Sequence, residues 1–158
     1  MTFDFRIDAI GSEYLDRIRA SGVDDFGNSV VTLVNESANG TPLRCCLREA
    51  EVGEEVVLIA YQPAQLGGPY KEVGPVFIHA KRCDGYEAPG SYPEGFRHRQ
   101  LLFRAYDIAG TQVDNKIANG NDAEVAISDL FAMSHVADVH ARNVLAGCFM
   151  FKVQRDRN

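Results

Sequence analysis

Residues able to do chemistry crowd the end of the chain. Val136-Ala137-Asp138-Val139-His140-Ala141-Arg142-Asn143-Val144 and Phe149-Met150-Phe151-Lys152-Val153 read as two strands joined by a tight turn. Side chains alternate along a strand, so Asp138, His140 and Arg142 share one face, and Ala137, Val139 and Ala141 take the other. An acid, an imidazole and a guanidinium in a row are not needed to build a core. A three-residue turn, Leu145-Ala146-Gly147, keeps the opposite face apolar by setting Phe151 against Ala141 and Val153 against Val139. Gly147 then takes the left-handed position of such a loop. In this register Cys148, Met150 and Lys152 join the His140 face.

Three chemistries suit that face. Arg142 with Arg104 and Asn143 can hold an anion through bidentate, charge-assisted bonds, unless an internal acid (Asp138, Asp107 or Asp114) pairs with the arginines instead. Cys148 can act as a nucleophile with His140 as its base, although a strand cysteine beside Phe149 also serves as a small core residue. His79, Cys83, His140 and Cys148 form a two-His, two-Cys set that zinc accepts, but the spacing lacks a Cys-x-x-Cys pair and is a weak signal. No cofactor is therefore expected, with zinc at that set as the alternative. Cys45 and Cys46 point to opposite faces if the chain is extended there, and are read as packing. Glu49, Glu51, Glu54 and Glu55 are read as a solvated approach to a buried strand.

The elements that must position these groups follow from periodicity. Phe3, Phe5 and Ile7 alternate with polar residues and suggest an opening strand. Ser12 caps a helix over 13–20, with Tyr14, Leu15 and Ile18 as its buried stripe and Gly22 closing it. A short strand is expected over 30–34, and Asn35 to Pro42 reads as a polar loop. Val56-Val57-Leu58-Ile59-Ala60-Tyr61 is a central strand. Gly67-Gly68-Pro69-Tyr70 is loop. Pro75 opens another strand, to Lys81, on which Phe77, His79 and Lys81 share a face. Residues 101–108 and 112–117 form a hairpin, with Leu102, Arg104 and Tyr106 on one side. Asn121 and Glu124 make a capping-box pattern for a helix to Met133. If these strands are neighbours, one face gathers His79, Arg104, Tyr106, His140 and Arg142. With about seven strands and two helices joined mostly by loops, the expectation is α+β: a mainly antiparallel, strongly curved sheet, barrel-like, with two short helices.

The chain has 158 residues, expected to form a single domain over 1–158, with 46% hydrophobic and 24% charged residues. A net charge of −6 argues against general affinity for nucleic acid. Twelve arginines against four lysines favour planar, bidentate recognition, although codon bias gives the same excess. No apolar stretch approaches the ~20 residues that span a bilayer, so no membrane partner is expected. The first six residues lack a basic region and a long apolar run, which predicts a cytoplasmic location with reduced thiols.

Pro42-Leu43-Arg44-Cys45-Cys46-Leu47-Arg48 followed by Gly53-Glu54, Pro69-Tyr70, Gly74-Pro75-Val76-Phe77-Ile78-His79-Ala80 and Cys83 make a combination with some specificity. Arg104-Ala105-Tyr106-Asp107, Val139-His140-Ala141-Arg142-Asn143-Val144 and Gly147-Cys148-Phe149 extend it. Together they resemble a bacterial family known only as domain of unknown function DUF1203. Cys45 stands where that pattern is expected to carry a His or another polar residue. The resemblance implies that His79, Arg104, His140, Arg142 and Cys148 act as a set, and supplies no chemistry.

The reading is a protein that binds a small anionic molecule in a sheet-face cleft. Arg104, Arg142 and Asn143 hold the ligand, Tyr106 shapes the pocket, and His140, His79 and Cys148 are the candidates for catalysis. A metal- or thiol-dependent enzyme is the first alternative. A homodimer paired through the last hairpin, with Phe149 and Phe151, is the second.

Overall fold

The apolar pattern is distributed over two sheets, each closed by one helix. The computed structural model describes residues 4–63 and 67–156, so Phe3 of the expected opening strand lies outside the described residues. The first sheet runs β1 (Phe5–Asp8), β10 (Phe149–Arg155), β9 (Asp138–Asn143), β7 (Gln100–Tyr106), β8 (Gln112–Asn119), antiparallel throughout. The second runs β2 (Thr32–Val34), β5 (Glu55–Tyr61), β6 (Gly74–His79), β3 (Pro42–Leu43), β4 (Arg48–Glu49). One pairing in it is parallel, β3 against β6, with Leu43 beside Phe77. The α+β class and the antiparallel character are as expected. In place of one strongly curved sheet there are two open ones, because the apolar residues sort into two clusters.

The first cluster packs Phe103, Val139, Ala141, Phe151 and Val153 from one sheet face against Ile127, Leu130 and Phe131 of α2 (Ala123–Phe131). The second packs Leu43, Val56, Val57, Ile59, Val76 and Ile78 against Leu15 and Ile18 of α1 (Ser12–Ser21). Gly22 closes α1 in the left-handed conformation (φ 70°), its N–H donating to Ile18 O at 3.0 Å. Ser12 lies inside α1, with Gly11 at the N-cap, and the capping box at Asn121 does not form. Glu124 pairs with Arg97 instead, reached by two guanidinium nitrogens.

Arg44 joins the sheets. Its side chain is buried, with the residue 1% exposed; Nε donates to Phe149 O on β10 (2.7 Å) and Nη1 to Pro42 O on β3. The last hairpin is not an edge, since β10 lies between β1 and β9 and Phe151 is fully buried. A dimer built by adding a strand to that hairpin therefore has no free edge to use. No described helix is long and apolar enough to cross a membrane.

Candidate metal centre and arginine pocket

Four donors converge where β3, β4 and β6 meet. The Sγ atoms of Cys45, Cys46 and Cys83 and a ring nitrogen of His79 all lie within 4.8 Å of one another. The local cause is a turn. Residues 44–47 wind helically between β3 and β4, with Leu47 N donating to Leu43 O at 3.0 Å and Leu47 itself in the left-handed region (φ 59°). Neighbouring side chains on a helical turn diverge by about 100° rather than the 180° of a strand. Cys45 and Cys46 therefore bring their sulfurs to 4.0 Å instead of facing apart. The parallel β3–β6 pairing sets His79 across from this turn, and Cys83 follows four residues later.

His79 is held from both sides. Its Nε2 meets Glu54 Oε2 at 2.7 Å, and its Nδ1 faces Cys45 Sγ at 3.3 Å and Cys46 Sγ at 3.7 Å. The backbone N–H of His79 donates to Cys45 Sγ (3.3 Å). Glu54 is fixed by Arg48, whose two terminal nitrogens reach its two oxygens at 2.7 and 3.1 Å. These bonds, led by Arg48, hold the Glu54 carboxyl down at about 2. Arg19 of α1 donates to His79 O at 3.1 Å and brings a second cation close.

Without a metal, the cluster shares its protons unevenly. Hydrogen bonds, first from Cys45 and then from Cys46 and His79, hold the Cys83 thiol below the ordinary thiol range. The bond to Cys45 pushes Cys46 up. Contacts with Cys45 and Cys83 raise His79 to about 10. Without a metal the proton thus favours His79 over Cys83. Ligand atoms bound to one zinc ion at 2.0–2.3 Å lie about 3.5–3.8 Å apart, close to the separations given above. A histidine presenting one nitrogen to a metal and the other to a carboxylate is the arrangement that fixes ring orientation and basicity in zinc sites.

The second constellation lies on the β7–β9–β10 face turned toward the second sheet. Leu102 is paired with Arg142, Arg104 with His140 and Tyr106 with Asp138. Lys152 stands opposite His140. This face brings together Arg104, Tyr106, His140 and Arg142, while His79 belongs to the other sheet. The Tyr106 and His140 rings lie 4.9 Å apart, and Phe149 meets His140 edge-on at 5.4 Å. The expected pairs Phe151–Ala141 and Val153–Val139 are present, and Gly147 is left-handed (φ 77°). A bulge between Phe149 and Phe151 changes one detail: Phe149 stands opposite Arg142, and Met150 is buried in the first core rather than on the His140 face.

Both nitrogens of His140 are buried without a hydrogen-bond partner among the described residues. Burial, with Arg142, Lys152 and Arg104 nearby, pushes its pKa down to about 3, so it is neutral. Arg142, whose side chain is 3% exposed, donates from Nη1 to Glu72 Oε1 (2.8 Å) and to Gly147 O (2.9 Å). Its Nε and Nη2 have no hydrogen-bond partner among the described residues. Arg104 reaches the other Glu72 oxygen at 3.4 Å. The internal acid on the arginines is thus Glu72, not Asp138, Asp107 or Asp114. Cys148 Sγ takes Arg44 Nη2 at 3.1 Å and Asn143 Nδ2 at 3.3 Å, rather than a nitrogen of His140.

The zinc set read from the sequence is therefore divided. His79 and Cys83 lie in the donor cluster, and Cys45 and Cys46 complete it. His140 and Cys148 belong to the arginine face. Glu54, read as part of a solvated approach, is the carboxylate on His79. Arg44 carries no role of its own within the Pro42–Arg48 stretch and Glu72 sits in no motif, and both act across long sequence separations. A surface hollow of about 900 Å³ between Arg6, Asp107, His135 and Arg155 meets the arginine face at Asp138 and contains none of the cluster donors.

Fold and donors together define a two-sheet α+β protein with a thiol–imidazole cluster beside a buried arginine face. The chain belongs to the family described as protein of unknown function DUF1203, whose profile matches residues 40–155 and so spans both constellations. No curated protein and no solved structure matches it.

Proposed function

We propose that this protein binds one thiophilic divalent metal ion, zinc by donor chemistry, through Cys45, Cys46, His79 and Cys83. The observation that carries this reading is the two-sided hold on His79, with Glu54 on Nε2 and the thiols at Nδ1. Three sulfurs and an imidazole suit zinc, and four protein donors leave no open position, as in structural rather than catalytic sites. The metal would tie the 44–47 turn to the end of β6 and fix the strand pairings around it. Metal analysis of untagged protein should find one zinc per chain. Cobalt(II) substitution should give thiolate-to-metal charge-transfer absorption that Cys83→Ser weakens by about a third or more. A folded protein that holds no zinc and gives no such absorption with cobalt would overturn the reading and leave thiol chemistry as the use of the cluster.

A second reading, binding of a small anion by Arg142 and Arg104, is supported by the unpartnered Nε and Nη2 of Arg142. A buried N–H without an acceptor costs about 1–3 kcal/mol. An anion at those nitrogens would recover that cost. Retention of benzoate or succinate by the protein, and its loss in Arg142→Lys, tests this.

A further inference from the structure

The Arg142 side chain forms a wall of a pocket of about 200 Å³ between the two sheets. Tyr61, Pro75, Phe149, Glu72 and Cys148 line the rest. We infer that this pocket takes a small carboxylic acid with an apolar body, and that the Glu72 carboxylate is its built-in competitor. This presupposes that the pocket takes an anion at all, as in the second reading above.

Charge and satisfaction of hydrogen bonds support the assignment. Arg142 and Arg104 on the sheet and Lys152 on β10 share this face, with Glu72 and Asp138 as the facing acids. Asp138 is engaged by Lys152 at 3.8 Å, so among the described acids Glu72 alone answers both arginines. It does so poorly. A guanidinium has five N–H donors in a planar fork. Glu72 takes one bond from each arginine, both at Nη1, and Gly147 O takes another from Arg142. The Nε–Nη2 edge of Arg142, the edge that grips a carboxylate with two parallel bonds, is left unused.

Glu72 is also placed to leave. It sits in the irregular stretch between the 3-10 turn Gly68–Tyr70 and β6, and its side chain is 42% exposed. Arg142, by contrast, lies in the middle strand of five and is closed from solvent. A half-exposed acid on a fixed cation is an exchangeable pair.

Size and lining set the ligand class. The volume corresponds to about seven waters, room for a short carboxylic acid and too little for a nucleotide. Aromatic and proline walls favour an apolar body behind the carboxylate. Phosphate matches the charge but would leave those walls bare.

Benzoate, succinate, benzamide and inorganic phosphate, titrated into the metal-loaded protein by calorimetry, test the inference. Benzoate should bind wild type weakly and Glu72→Gln about tenfold tighter, the gain expected when a competitor that fills the site nine-tenths of the time is removed. Succinate, which carries the carboxylate without the ring, should bind more weakly than benzoate, and benzamide should bind neither form. Arg142→Lys in the Glu72→Gln background should abolish benzoate binding with the thermal midpoint monitored alongside, and Arg104→Gln, more exposed, serves if that variant fails to fold. Equal benzoate affinity in wild type and Glu72→Gln would overturn the competitor while leaving the anion reading in place. Preference for phosphate over benzoate would overturn the ligand class. Absence of binding by every anion to either form would overturn the anion reading itself.

Discussion

The donor cluster and the arginine face satisfy their polar groups in opposite ways. The cluster is built on a four-residue turn and the end of a strand, and its sulfurs and imidazole answer one another at 3.3 to 4.0 Å. The arginine face stands on the centre of a five-stranded sheet, and its most buried groups, His140 and the far edge of Arg142, find no hydrogen-bond partner among the described residues. A loop can bend until its donors meet. A sheet holds its side chains at fixed spacing, so what its neighbours cannot reach stays unmet. Convergence thus marks the first site, and unmet demand marks the second.

Perturbations should separate the two. The largest effect is expected on the metal side: His79→Ala or Cys46→Ser should remove stoichiometric zinc. Because structural zinc is worth on the order of 10 kcal/mol in small peptides, chelation of wild type should lower the thermal midpoint more than any substitution on the arginine face. An unchanged midpoint after complete chelation would show that the cluster does not support the fold.

Acidification should act on the other side. His140 falls from an ordinary 6.5 to about 3 in the folded chain, so the unfolded chain binds a proton that the folded one refuses between those values. Stability from neutral His140 is therefore complete above pH 6.5 and is lost as pH falls toward 3, by a few kcal/mol in all. His140→Leu should flatten that part of the denaturation profile without lowering stability at pH 7, since replacing an unpartnered polar group by an apolar one is close to neutral. An equally steep acid profile in the variant would place the sensitivity elsewhere.

Glu54→Gln should weaken zinc by about 10- to 100-fold, the usual scale for a carboxylate behind a histidine ligand, with no change in the His140 acid profile. The smallest effect belongs to Lys152→Met. It removes one of the charges that depress His140, so the His140 pKa should rise by a fraction of a unit and the acid-unfolding midpoint should move to lower pH; a shift to higher pH would mean that Lys152 does not act on His140 by charge.

Strand parity made the arginine face legible in the sequence. Alternation put Arg104, Tyr106, His140 and Arg142 on common faces, and the apolar stripe of Ala141, Val139, Phe151 and Val153 selected the register that the strands adopt. A bulge at the start of β10 escaped that reasoning, because it trades Phe149 for Met150 without disturbing the alternation further along. The donor cluster was half legible. His79 and Cys83 stand out by type, but Cys45 and Cys46 read as packing residues that would face apart in an extended chain, and only a turn brings two adjacent sulfurs together. Nothing local announces the parallel contact of Leu43 with Phe77 that delivers His79 to that turn. Two sheets in place of one curved sheet were hidden for the same reason: periodicity orders residues within a strand and says nothing about which strands share a sheet.

Arg44 ties these levels together. It precedes the cysteine pair by one residue, yet its guanidinium rests on a carbonyl from each sheet and on the Cys148 sulfur. Separating the layers would strand a desolvated cation, so neither layer should melt alone. Calorimetric and van't Hoff enthalpies should agree across a single transition in wild type, and Arg44→Met is the substitution most able to split that transition into two.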